Sequence, residues 1–432
     1  MPYQTQLPMN RKIDVHELRK GMYVCELDRP WVGTPFLFQG FEIRTDEELE
    51  TLRGLCRHVY IADEPATPAV AHRRAAASSG PSSILSSVTT VDHVRDFGTF
   101  PKSRRAPPRY RDQVSLEEEM DAARPLESGT RALIHSIMDD VRLGNSLNAT
   151  PVRQAVDGIV NSIVRNPDAL VWLTQLKNKD EYTALHSLRV CILALTFGRH
   201  LDLSEEELNI LGTGALLHDI GKLRVPNEIL NKPARLTDQE YEIMKTHVPL
   251  GVRILDNTRG IPAAAIAVAR CHHERYSGSG YINGITGDQI GLFGLIGAIV
   301  DTYDAITSDR AYHNGLSAYD ALKKLYEGRN RDFHPGLVEQ FIQCMGIYPI
   351  GSIVELNTGS VGVVITVNRE RRLRPKVALV LDENKSPHAI SPVLDLFHTL
   401  SDTSGAALEI RRVLPSGAYG INPNSFLPSV ET

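Results

Sequence analysis

The sequence has no apolar stretch long enough to span a bilayer. Its longest candidate, GLFGLIGAIV at residues 291–300, falls short of the roughly 18 residues a crossing helix needs. The N-terminal MPYQTQLPMNRK carries no apolar signal region, from which a cytoplasmic location is expected. Cationic excess is also lacking: 47 Lys and Arg stand against 52 Asp and Glu, a net charge of −5. No basic field gathers a nucleic-acid polymer, although local cations can still recruit a small anionic substrate. Five cysteines (Cys25, Cys56, Cys191, Cys271 and Cys344) are odd in number, scattered and without a CxxC pair. That pattern argues against a disulfide framework or a zinc–thiolate site and for reduced, mostly buried thiols. No internal repeat is evident. What remains is a chain of 432 residues with 42% hydrophobic side chains, enough for two or three domains and a sizeable core.

Residues 1–64 read as a small α+β domain, with strand-like GMYVCEL and HVYIAD and a short helix near DEELETLRGL. From 65 to 114 the chain is rich in Pro, Ala, Ser and Arg with little apolar periodicity, which predicts a flexible linker. Helical spacing resumes near Leu116 and fills 115–346, with Pro151 and Pro167 placed at helix starts. Beyond 347, GSIVELNTGSVGVVITVN and KVALVLDE alternate β-branched residues around glycines, so 347–432 reads as a β-rich extension. The expected fold is mainly α: a helical bundle with a small N-terminal α+β domain and a C-terminal β appendage.

The helical region holds a series of histidines and aspartates. They are His186 in YTALHSLRV, His218 and Asp219 in GALLHDIGKLRVP, His247 in MKTHVPLG, His272 and His273 in RCHHE, and Asp301 and Asp304 in IVDTYDAITSDRAY. A lone helical histidine is more often a core or surface residue than a ligand, and His-Asp is common by chance. The number of such residues on neighbouring apolar helices is what points to metal, because inward imidazoles and carboxylates need a partner. Nitrogen and carboxylate donors without thiolate suit a catalytic first-row ion such as iron, manganese, cobalt or nickel. Asp219, next to His218, could bridge two ions.

LLHDIGKLRVPNEILNKPARLTDQEYEIMKTHVPLG, followed by CHHERYSGSGYINGITGDQI and AIVDTYDAITSDRAY, resembles the HD-GYP domain, a branch of the HD metal-dependent phosphohydrolases that degrades cyclic di-GMP. The likeness covers about 150–345, and residues 11–63 resemble a small domain of unknown function that often precedes HD-GYP domains. The resemblance implies metal ligation by His186, His218, Asp219, His247, His272, His273 and Asp301, with Asp304 in support. Some members hold a third ion through a glutamate at the position of Tyr182. Glu181 is one residue off, about 100° round a helix, so a two-metal site is expected, with iron or manganese foremost.

The resemblance further implies hydrolysis of cyclic di-GMP to pGpG, with either pGpG or GMP as the final product, and with water activated between two ions. Lys222 and Asp219 are the expected catalytic residues. Lys222, Arg310, Gly278, Gly280, Tyr281 and His313 are expected to contact substrate, and Glu274 to orient a ligand. Ile282 stands where the family keeps the proline of its GYP, Ser277 replaces a frequent acid, and His313 a basic residue. These departures bear on the loop's shape, on substrate affinity and on docking of a GGDEF-type or other signalling protein through the loop. A homodimer is compatible with the sequence. Two alternatives stay open: a catalytically weak cyclic di-GMP receptor, and an HD phosphohydrolase of another nucleotide.

Overall fold

The computed structural model describes residues 10–62, 109–174, 182–308 and 315–426, apart from 30, 32, 33, 35, 37, 39, 369, 370, 372, 400, 402–406 and 416. The chain divides into two compact units, 1–90 and 91–432.

In the first unit, β1 (Asn10–Asp14), β2 (Tyr23–Leu27), β3 (Phe41–Glu42) and β4 (His58–Ala62) form an antiparallel sheet in the order β1-β4-β2-β3. Helix α1 (Asp46–Leu55) begins at a reciprocal cap between Thr45 and Glu48. Its Leu52 joins Val24, Ile43, Val59 and Ile61 in the core. Strand β1, NRKID, is not anticipated by the sequence pattern. Its residues have low strand propensity, and pairing with β4 from Asn10↔Ala62 to Asp14↔His58 brings it into the sheet.

The second unit is mainly helical, as expected. Its helices are α2 (Leu116–Arg142), α3 (Ala149–Arg165), α4 (Pro167–Thr174), α5 (Tyr182–His200), α6 (Glu205–Leu217), α7 (Asn227–Leu230), α8 (Asp238–Lys245), α9 (His247–Asp256), α10 (Ala263–Cys271), α11 (Gly291–Thr307), α12 (Ala318–Glu327) and α13 (Pro335–Met345). Pro167 opens α4 and Pro151 lies in the first turn of α3, where a missing N–H costs no hydrogen bond. Of the expected linker, residues 65–108 lie outside those described. Residues 109–113 are tied to the bundle: the Arg109 amide donates to Asp202 Oδ1 (3.0 Å), Tyr110 Oη to the Leu203 carbonyl (2.8 Å), and Arg199 pairs with Asp112 (2.8 Å).

Helix α5 is apolar on nearly every side and is buried from Ala184 to Arg199, packed against α6 and α11. Its few polar side chains are therefore inside the bundle, where each needs a partner. A five-stranded antiparallel sheet follows: β5 (Ile353–Leu356), β6 (Val361–Thr366), β7 (Lys376–Leu381), β8 (Val393–Asp395) and β9 (Ile410–Leu414), in the order β8-β7-β6-β5-β9. It is joined to α4 by the fully buried Trp172, whose Nε1 donates to the Ile365 carbonyl at 2.7 Å. Among the described residues no helix is long and apolar enough to cross a membrane.

Candidate metal centre

Six elements bring the expected ligands to one place. His186 lies one turn into α5, His218 caps the C-terminus of α6, and Asp219 begins the 3-10 turn Ile220–Arg224. His247 opens α9, His272 caps α10 with His273 after it, and Asp301 sits within α11. The 3-10 turn and α9 meet backbone to backbone at Gly221. A Cβ there would lie 1.9 Å from the His247 carbonyl oxygen and 2.4 Å from the Gly251 nitrogen. Only glycine lets the Asp219 and His247 main chains approach this closely.

The side chains are sealed from solvent: His218, His247 and His272 are each 1% exposed, His186 and Asp219 3%, and Asp301 8%. Each Nδ1 already has a partner. His218 Nδ1 donates to the Ala215 carbonyl (2.8 Å), His247 Nδ1 to Met244 (2.7 Å) and His272 Nδ1 to Ala269 (3.0 Å), while His186 Nδ1 donates to Asp304 Oδ2 (2.7 Å). All four Nε2 lone pairs are thereby turned inward, the second-sphere arrangement that prepares histidine for a metal.

The carboxylate of Asp219 divides these histidines into two pairs. Its Oδ2 lies 3.5 Å from His186 Nε2 and 3.3 Å from His218 Nε2, while Oδ1 lies 3.4 Å from His247 Nε2 and 3.7 Å from His272 Nε2. Asp301 Oδ1 closes the first side at 3.1 Å from His186 Nε2. His218 Nε2 and Asp219 Oδ1 are buried with no hydrogen bond, which no stable apolar core tolerates. Among the described residues, three overlapping sets have ligand atoms within 4.8 Å of one another: His186–His218–Asp301, His218–Asp219–His272 and His247–His272–His273. Unsatisfied buried donors of His/Asp type, with no thiolate among these sets, fit divalent first-row ions.

Charge on these groups follows from their neighbours. Burial disfavours ionised Asp219, yet the Lys222 ammonium and His218 hold its carboxyl well below the usual range. Burial likewise opposes ionisation of Asp301, and His186 overrides it. Burial would lower His186 too, but hydrogen bonds to Asp301 and Asp304 push it up to about 9. On the other side burial dominates and lowers His247 to about 4, and it holds His273 well below the ordinary imidazole value.

The remaining expected residues are placed as follows. Lys222 Nζ lies 2.5 Å from Asp219 Oδ2, its side chain 22% exposed. Tyr281 stacks on the His273 ring, centroids 4.6 Å apart and 24° between planes, with its amide donating to the His273 carbonyl. Gly280 permits this return, since a Cβ would lie 2.4 Å from the Arg275 nitrogen and 2.5 Å from the His273 carbonyl oxygen. Gly278 turns the loop with φ +81°. The Tyr281–Ile282 peptide is cis, and Ile282 is 44% exposed. Arg310, His313 and Glu181 lie outside the described residues, as does the side chain of Tyr182.

Glu274 has one oxygen committed to the loop and one buried without a hydrogen bond. It is fully buried, and its Oε1 accepts the Asn283 amide at 2.8 Å, pinning the far end of the glycine loop. Sequence reading missed Arg189, one turn after His186, which grips Asp304 through Nε (2.6 Å) and Nη2 (2.9 Å). The signal was available: an arginine inside the apolar run HSLRVCILALTFG has to find an acid.

Residues 10–152 match a domain of unknown function (DUF3391), 168–337 the HD domain, and 353–401 a KOW domain associated with the HD domain. The first match runs past residue 64 into α3. Over 395 residues the chain is 35% identical to a cyclic di-GMP phosphodiesterase of Pseudomonas aeruginosa, covering 90% of this chain and 89% of that one. The chain belongs to the HD-GYP family. Shorter family matches are to a cyclic di-GMP phosphodiesterase response regulator of Xanthomonas campestris and a 3'3'-cGAMP-specific phosphodiesterase of Vibrio cholerae. The first is 37% identical over 170 residues (39% of this chain, 45% of the relative). The second is 36% identical over 162 residues (37% and 31%).

Proposed function

We propose that this HD-GYP chain is a metal-dependent phosphodiesterase that opens cyclic di-GMP to pGpG and cleaves that product to GMP, in the cytoplasm of a bacterium. The reading rests on Asp219, whose two oxygens face separate pairs of inward-turned histidines. One ion would be held by His186, His218, Asp219 and Asp301, and a second by Asp219, His247, His272 and His273, iron or manganese in each. Such ions make water nucleophilic near neutral pH and neutralise charge on a phosphodiester.

The chain's own residues do the rest. Lys222 keeps Asp219 ionised and presents a partly exposed ammonium where a phosphate oxygen would approach. Arg189 and Asp304 hold the His186 ring, so its Nε2 needs no reorientation when a ligand arrives. Tyr281, stacked on His273, walls the second side.

The test is turnover of cyclic di-GMP by manganese- or iron-loaded protein, followed by chromatography of pGpG and GMP, with His218→Ala as control. Binding without turnover after metal loading would sink the enzymatic reading in favour of a receptor. Because one relative is named as 3'3'-cGAMP-specific, that dinucleotide belongs in the same assay. Faster hydrolysis of it would reassign the substrate.

A further inference from the structure

Helix α8 buries none of its residues, yet it is firmly held. Thr237 and Glu240 form a reciprocal cap at its start, and both carboxylate oxygens of Glu240 accept Lys232 Nζ, at 2.7 and 2.6 Å. A short helix that buries none of its residues is marginal by itself, so this bracing holds its surface in place for something other than core packing. That surface carries Tyr241 and Lys245, one turn apart on a single helix face.

Both lie against the loop that closes the metal cluster. The Tyr241 ring meets Tyr281 edge to face, centroids 6.1 Å apart, and Tyr281 in turn stacks on His273. Lys245 Nζ sits 5.4 Å from the Tyr241 centroid and 5.7 Å from that of Tyr281, within cation–π range of both. It also pairs with Glu242 at 2.6 Å, whose side chain is 69% exposed, so solvent screens that bond. Tyr241 is itself 45% exposed, which leaves part of its ring accessible to a second aromatic.

We propose that Tyr241 and Lys245 form the base-recognition wall of the substrate site. Tyr241 stacks on a purine, and Lys245 donates to the acceptor edge of guanine. An exposed aromatic face is a sequence-tolerant platform for any base. An ammonium offers donors alone, which match the O6 and N7 acceptors of guanine and oppose the N6 donors of adenine. The wall rests on the cyclic dinucleotide reading above and adds to it which face reads the base.

The experiment uses the full-length protein. kcat and KM for cyclic di-GMP and cyclic di-AMP are measured on the manganese-loaded form, and dissociation constants for both by calorimetry on chelator-treated protein. Tyr241→Ala should raise KM and the dissociation constant for cyclic di-GMP about tenfold while kcat moves much less, and Tyr241→Phe should restore both. Lys245→Met should weaken cyclic di-GMP and narrow its preference over cyclic di-AMP. A wild type that binds or hydrolyses cyclic di-GMP with constants unmoved by Tyr241→Ala and Lys245→Met overturns this inference and leaves the functional reading standing. A wild type that neither binds nor hydrolyses it overturns both.

Discussion

Asp304 accepts the Nδ1 proton of His186 at 2.7 Å while its other oxygen takes Arg189 Nε at 2.6 Å. The carboxylate is 2% exposed, so neither partner has water to fall back on. Asp304→Asn leaves the His186 ring without its anionic acceptor and should weaken metal binding on that side by about ten- to a hundredfold. Competition titration with a chromophoric chelator measures this, and unchanged affinity would show that Asp304 serves the fold alone.

Among the described residues, Asp219 is the carboxylate that faces all four inward histidines. Asp219→Asn keeps the shape and removes the charge. Metal content should fall from about two ions per chain to one or fewer, with turnover lost. Elemental analysis of anaerobically purified protein reads the first outcome and the cyclic di-GMP assay the second.

Gly221→Ala would press a methyl group into the His247 carbonyl, at 1.9 Å in the unrelaxed backbone. Main chain cannot yield as a flexible side chain does, so a loss of about 1–3 kcal/mol or more is expected. Because the strain separates Asp219 from His247, metal affinity should fall with the melting temperature. A surface Gly→Ala substitution such as Gly54→Ala, with open space around it, serves as control.

Trp172→Phe removes the donor to a buried carbonyl on β6 and should cost about 1–3 kcal/mol. Denaturant titration tests it. Loss of the β-sheet signal before the helical signal would locate the damage at the bundle–sheet junction.

Burial opposes ionisation of Glu355, but hydrogen bonds from Lys385 (3.0 Å) and Arg412 (2.7 Å) hold its carboxyl below the ordinary range. A depressed folded-state value means that the stabilisation is complete above the unfolded value, about 4.3 for a glutamate, and is lost as pH falls through the folded one. Stability should therefore drop below about pH 4, and Glu355→Gln should lessen that acid-side slope. Melting temperatures from pH 3 to 7 decide the matter.

Much of this was legible in the sequence because it is carried by local pattern. The apolar helices, the Pro167 start of α4 and the ligand dipeptides announce themselves within a few residues. The contacts left unread are those that join distant segments. Arg189 and Asp304 are 115 residues apart, and Glu274 gives no sign in sequence that one of its oxygens will hold the Asn283 amide. Strand β1 was missed for a related reason: NRKID has little strand character until β4 offers it hydrogen bonds. The sequence pattern does not single out Tyr241 and Lys245, and it is the return of the loop that sets Tyr281 beside them.

Three of the four inward histidines take their ring orientation from main-chain carbonyls at the ends of α6, α8 and α10. No point substitution deletes a carbonyl, so those tautomers are inherited with the helices and tolerate drift in the surrounding side chains. His186 alone depends on a side chain for its orientation. A single-residue change that frees one of these rings while leaving every proposed ligand in place therefore acts through Asp304.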